Sequence, residues 1–193
     1  VSTPIQEEQD YAKQTLAYIR QTMESASTFT AVSGWGMVAV GVIGLLAAGL
    51  AWRLGNPESV PIWVIAAGLS IGTAGATTAA KAQRLRTPLW SGALRKIVWV
   101  MVPGLTAGAV LTYALEIQGA RHLLAGTWLA LYGAGVTAGA VFSVRALRVM
   151  GVLFLALGVV ALLAPATGPW FLVIGFGGLH LAFGAYVSQR HGG

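Results

Sequence analysis

From Val149 to Ser188 the chain reads VMGVLFLALGVVALLA, then PATG, then PWFLVIGFGGLHLAFGAYVS, with no Asp, Glu, Lys or Arg throughout. Each apolar run approaches the roughly 20 residues a helix needs to cross a hydrocarbon core. Pro165-Ala-Thr-Gly-Pro169 between them is a tight turn. Inside lipid every backbone N–H and C=O must find its partner within its own segment, so two such runs on either side of a turn read as a helical hairpin folded back through a membrane.

Working outward, Thr30–Trp52, Pro61–Ala80, Ile97–Gly119 and Leu123–Val144 have the same character and, with Val149–Ala164 and Pro169–Ser188, make six predicted spans. Composition agrees: 56% of the 193 residues are hydrophobic and 9% charged, against about a quarter charged in soluble domains, and the mean hydropathy is +0.72. The expected fold is all-α, a polytopic six-transmembrane-helix bundle. Residues 1–27 are expected to form a cytoplasmic amphipathic helix, 28–190 the transmembrane domain and 191–193 a C-terminal tail. Val1–Ser27 is polar and acidic, without the basic start and small-residue cleavage site of a signal peptide, so the first span reads as a permanent signal anchor. The absence of cysteine excludes disulfides, thiolate metal sites, Fe–S clusters and a cysteine nucleophile. In so apolar a chain the net charge of +6 speaks to loop orientation rather than to nucleic acid, and no nucleic-acid partner is expected.

Lys and Arg sort by loop. With six spans, Lys13, Arg20, Lys81, Arg84, Arg86, Arg95, Lys96, Arg145, Arg148 and Arg190 share a side, and only Arg53 and Arg121 lie opposite. Ten against two predicts that both termini are cytoplasmic. Indole rings prefer the headgroup level. Trp52, Trp63, Trp128 and Trp170 fall at predicted outer ends, Trp90 and Trp99 near inner ends, and Trp35 slightly deeper.

Thr-Ala-Gly-Ala recurs at Thr73–Ala76, Thr106–Ala109 and Thr137–Ala140, and the second and fourth spans run on into Lys81-Ala-Gln-Arg84 and Arg145-Ala-Leu-Arg148. This suggests three helical hairpin repeats, with Ala/Gly bias as the plainer explanation. Gly68-x-x-x-Gly72, Gly104-x-x-x-Gly108 and Gly135-x-x-x-Gly139 are expected to pack the tight centre of the bundle, or else to mediate homodimer contacts. Pro103 removes a helical hydrogen bond and is expected to bend the third span.

Ahead of the first span, Ala12, Leu16, Ile19, Met23 and Ala26 recur at helical spacing, with Lys13, Arg20 and Glu24 on the polar face. Four carboxylates against two cations give this segment the wrong sign for a helix held by anionic lipid. It is expected to dock over the second loop, which carries Lys81, Arg84, Arg86, Arg95 and Lys96; the alternatives are a protein partner on the stripe, or a helix lying at the interface. The candidate interaction surface is therefore Leu16, Ile19, Met23 and those five basic residues. Thr87-Pro88 is a helix start, placing the beginning of the third helix before the bilayer.

An ionisable residue at the midplane of a span is costly, and His180 is the clear case. The plain reading is a neutral imidazole hydrogen-bonded to Thr, Tyr or a carbonyl, with Tyr113, Tyr132, Thr106 and Thr137 as the available partners. A proton-linked site and axial ligation of haem or chlorin are the alternatives, the latter weakened by the lack of a second midplane histidine. Glu116, Arg121 and His122 read as a solvated interface cluster, and His122 lies too far from His180 in depth to share an ion with it. No metal and no cofactor are expected. P-loop, Gly-x-Ser-x-Gly and His-Glu-x-x-His motifs are all missing, so no enzyme is expected.

The stretches Ser27–Gly36, Gly126–Gly135 and Gly175–His180 resemble a set of uncharacterised six-span bacterial integral membrane proteins, and the hairpin from Gly151 to Gly184 resembles the repeats of HdeD-type acid-resistance membrane proteins. Neither resemblance implies a catalytic residue. The expected function is non-catalytic, a regulatory or stress-response role exerted through the cytoplasmic face. The alternatives are an accessory or assembly subunit of a larger, energy-transducing membrane complex, and a proton-linked or small-molecule carrier. The expected partners are the lipid bilayer and a protein partner or second copy.

Overall fold

The structure, a computed structural model, describes Gln6, Gln9 and residues 11–19, 32–86 and 92–191. A short helix α1 (11–19) precedes α2 (Gly34–Arg53), α3 (Val60–Arg84), α4 (Gly92–Ile117), α5 (Leu124–Gly139), α6 (Arg145–Leu163), α7 (Gly168–Leu172) and α8 (His180–His191). A π-helical segment, Val173–Leu179, joins α7 to α8 into a single rod. Among the described residues six helices are long and apolar enough to cross a membrane, the last running from Pro165 to Arg190. They coincide with the predicted spans to within a few residues, and α8 continues through the expected start of the tail at His191. Thr87, Pro88, Leu89 and Trp90 lie outside the described residues, as do Arg20, Met23, Glu24 and Ala26.

Local chemistry sets the ends. Ser33 caps α2 by accepting a 3.1 Å hydrogen bond from the Gly36 amide, and α3 begins with a proline in its first turn. Gly55 and Gly119 close the two turns at the end opposite the basic residues with φ of +70° and +69°, a backbone region that costs side-chain-bearing residues energy.

The packing centre consists of two antiparallel pairs. Gly133 of α5 faces Gly151 of α6, with Gly126 against Ala161 and Leu162 and Gly158 against Ala130, and a Cβ on Gly133 would stand 2.8 Å from the Gly151 carbonyl oxygen. Gly34 and Gly41 of α2 likewise face Gly184 and Gly177, where a Cβ on Gly184 would come within 2.7 Å of the Val38 amide nitrogen. In each helix the two glycines are seven residues apart, the spacing that keeps one seam turned toward a partner at a shallow left-handed crossing. The GxxxG expectation needs correction. Gly68 and Gly72 of α3 have nothing within 4 Å, and Gly104, Gly108, Gly135 and Gly139 serve the looser α4–α5 contact, where Gly108 lies under the Trp128 ring and Gly139 against Ile97. Accordingly 44% of the apolar window of α2 is buried but only 6% in α3 and in α4. The two sparsely buried helices lean on the centre, α3 on α2 and α4 on α5.

Helix α1 is not covered by the second loop as expected. Leu16 remains 66% exposed and Ile19 47%.

Candidate functional site

Tyr132 of α5, Phe154 of α6 and Phe176 and His180 of the sixth span meet in the centre of the bundle. They meet because Gly175 lets the sixth span approach: a Cβ there would stand 2.7 Å from Leu129 Cδ2 and 2.9 Å from Phe154 Cε1. The π-helical turns from Val173 to Leu179 widen the helix ahead of His180, a distortion that recurs at functional positions. Tyr132 Oη and His180 Nε2 are 2.8 Å apart. The Phe154 ring meets Tyr132 at 4.8 Å and 64° and His180 at 5.4 Å and 73°, both edge-on, while Phe176 stacks on the imidazole at 6.2 Å and 13°. Edge-on ring contacts of this kind are worth on the order of 0.5–1.5 kcal/mol beyond area burial.

His180 is 3% exposed and Phe154 fully buried. Among the described residues no hydrogen bond of good geometry reaches His180 Nδ1. With its proton on Nδ1 the imidazole leaves Nε2 to accept the Tyr132 O–H. In that tautomer the contact joins α5 to the sixth span. A metal ion or macrocycle is a poor fit, because Nε2 is already engaged and both ring faces are enclosed. Among the described residues no three His, Asp or Glu side chains are gathered in a way that would hold a metal.

Tyr113, paired with Tyr132 in the sequence expectation, is 71% exposed and takes no part. Gly108 and Thr112 form the face of α4 toward α5, where Trp128 Nε1 donates to Thr112 Oγ1 at 2.9 Å, and the next residue is rotated about 100° from that contact. Thr137 donates to the Gly133 carbonyl at 2.7 Å, within its own helix, and Thr106 is exposed.

At the end opposite the basic residues three connections converge. Arg121 holds Glu116 with two hydrogen bonds, Nε to Oε1 at 2.7 Å and Nη2 to Oε2 at 2.5 Å. Beside them a cleft of about 220 Å³ is lined by Asn56, Pro57, Glu58, His122, Pro165 and Pro169. Burial raises the Glu58 carboxyl above the usual carboxylate range, opposed by the charges of His122 and Arg121. Sequence reasoning passed over Glu58; a lone carboxylate between a proline and a span was its only signal. Trp52 and Trp170 pack edge-on at 4.4 Å at this same end, and Trp63 Nε1 donates to the Pro57 carbonyl at 3.0 Å.

At the basic end Lys81 does not join the expected interaction surface. It is 7% exposed, and its Nζ donates to the Val32 carbonyl at 3.0 Å, just ahead of the capped start of α2. A lysine whose stem lies on an apolar helix contact reaches the nearest unsatisfied carbonyl, which here is local. Arg84, Arg86 and Arg95 are exposed, and Lys96 sits 5.4 Å over the Phe142 ring. Comparison with protein-family models, with curated proteins and with solved structures gives no match to this chain.

Proposed function

We propose that the chain is a non-catalytic protein of the bacterial inner membrane, with both termini cytoplasmic, that acts at its surfaces in a regulatory or stress-response role and not through a path across its centre. The observation that carries this reading is the sealed midplane: His180 is bound to Tyr132 and enclosed by aromatic rings, whereas Arg84, Arg86 and Arg95 stand free of the apolar core at one end. The interaction surface in this reading consists of those three arginines with Lys96 at the margin. Replacing Arg84, Arg86 and Arg95 together by Gln should leave thermal unfolding unchanged and remove any partner that stays bound through gentle extraction and native mass measurement. pH-dependent flux in proteoliposomes that disappears in His180→Ala would overturn the reading in favour of a carrier. Reporter tags at both ends test the orientation.

A second reading, an accessory or assembly subunit, is favoured by Gly68, Gly72 and Gly75 of α3, which face open space where a neighbouring membrane helix is able to approach closely. Native mass measurement separates the two: an added mass lost on Gly72→Leu, and kept in the arginine variant, selects the second. The repeated Thr-Ala-Gly-Ala segments remain compatible with duplicated hairpins. Their glycines have come to occupy different surroundings, open at Gly75, under Trp128 at Gly108 and beside Ile97 at Gly139.

A further inference from the structure

Helix α1 is amphipathic in a way the bundle does not use. At 100° per residue, Tyr18, Tyr11, Thr15, Ile19, Ala12 and Leu16 occupy an arc of about 160°, and Lys13, Ala17 and Gln14 fill the remainder. Tyr11 is 74% exposed, Tyr18 70%, Leu16 66% and Ile19 47%, so the bundle does not cover this apolar arc.

We infer that α1 lies along the membrane surface beside the start of the first span, its Leu16–Ile19 face at headgroup level, held by apolar partition and not by charge. Three observations converge. Tyr11 and Tyr18 line one edge of the arc beside the aliphatic residues, and a ring with an apolar body and a polar tip favours the depth at which one end is dry and the other wet. The first span begins soon after α1 in the chain: Ser33 caps it and Trp35, 64% exposed, sits in its first turn, so the chain reaches headgroup depth there. The segment 1–27 carries Glu7, Glu8, Asp10 and Glu24 against Lys13 and Arg20, a balance that gains nothing from anionic lipid. A helix this short would partition weakly alone. Tethered by the connection from residue 20 to Ser33, it experiences the surface at a high effective concentration, and a weak intrinsic preference is enough.

The chain has no cysteine, so single cysteines introduced into it report one position each. Nitroxide labels at Ala12→Cys, Lys13→Cys, Gln14→Cys, Leu16→Cys, Ala17→Cys and Ile19→Cys, all exposed sites, are read in nanodiscs by collisions with oxygen and with a water-soluble nickel chelate. The expected result is a severalfold higher oxygen-to-nickel ratio at 12, 16 and 19 than at 13, 14 and 17. The pattern should be the same in zwitterionic discs and in discs containing anionic lipid, and insensitive to salt. Uniform access of the nickel chelate to all six positions overturns the inference. So does shielding of 12, 16 and 19 from both reagents, which identifies a protein cover such as the second loop or another copy. A pattern that appears only with anionic lipid overturns the apolar mechanism.

Discussion

Two sets of glycine substitutions distinguish the seams of this bundle from its open faces. In Gly133→Ala the new methyl would begin 2.8 Å from the Gly151 carbonyl oxygen and 2.9 Å from Leu155 Cα, where ordinary contact starts near 3.4 Å. Both obstacles, and the Leu155 amide nitrogen that lies nearer still, are backbone atoms of a helix and cannot rotate aside, so α5 and α6 must separate by up to about 1 Å along the seam, an overpacking that costs about 1–3 kcal/mol. Gly184→Ala meets the Val38 amide nitrogen at 2.7 Å and the Gly34 carbonyl at 2.9 Å and should behave alike. Gly68→Ala and Gly72→Ala meet nothing within 4 Å; they lose glycine's backbone entropy and gain up to about 1 kcal/mol of helix propensity. Unfolding of the purified protein in mild detergent, followed by steric trapping or by thermal scans of the four single variants, should split them into two destabilised and two neutral or stabilised. Equal destabilisation by Gly68→Ala and Gly133→Ala would refute the assignment of the seams.

Tyr132→Phe leaves His180 Nε2 buried without its donor; interhelical hydrogen bonds in membranes average about 0.6 kcal/mol with an upper end near 1.7, and a double-mutant cycle with His180→Phe should return a coupling in that range, a coupling of zero showing that the contact contributes nothing. Glu58 supplies a pH dependence of known sign. Between the ordinary carboxylate value near 4.5 and its raised native value, the folded protein holds a proton that the unfolded chain has released. Stability from this group therefore rises as pH falls through that window, and Glu58→Gln should remove this increment from the melting-temperature profile; identical profiles would count against it. Lys81→Met strips the 3.0 Å donor from the Val32 carbonyl and should cost about 1–3 kcal/mol, with faster amide exchange confined to the first turn of α2; protection unchanged there would place the anchor elsewhere.

Hydropathy made the spans legible, since the physics of an unsatisfied backbone in lipid leaves only one kind of segment, and the end-loving tryptophans Trp52 and Trp170 do meet at one end. Partner choice was less legible. GxxxG spacing is a local pattern, and local patterns cannot say which face of a helix finds a neighbour; the glycine pairs that matter, Gly34 and Gly41 against Gly184 and Gly177, and Gly133 against Gly151, become visible only when antiparallel helices are aligned. His180 was legible from its cost in lipid and Tyr132 from its polarity, but the choice of Tyr132 over Tyr113 depends on which side of α4 faces α5. Lys81 misled because charge in a loop reads as surface, whereas its long stem reaches a carbonyl beneath.

The pairing of α2 with the sixth span joins Gly34 to Gly184, residues separated by most of the polypeptide. A ribosome adding about 5–20 residues per second needs on the order of ten seconds to bring the second of these out after the first. For that interval the leading rod sits in the bilayer or against the insertion machinery with its notched flank unfilled, while α5 and α6, neighbours in synthesis, are free to zip together at once. Assembly thus has a built-in sequence, an early local hairpin and a late closure between distant segments, and the interval before closure is when quality-control proteases and insertion chaperones have something to recognise.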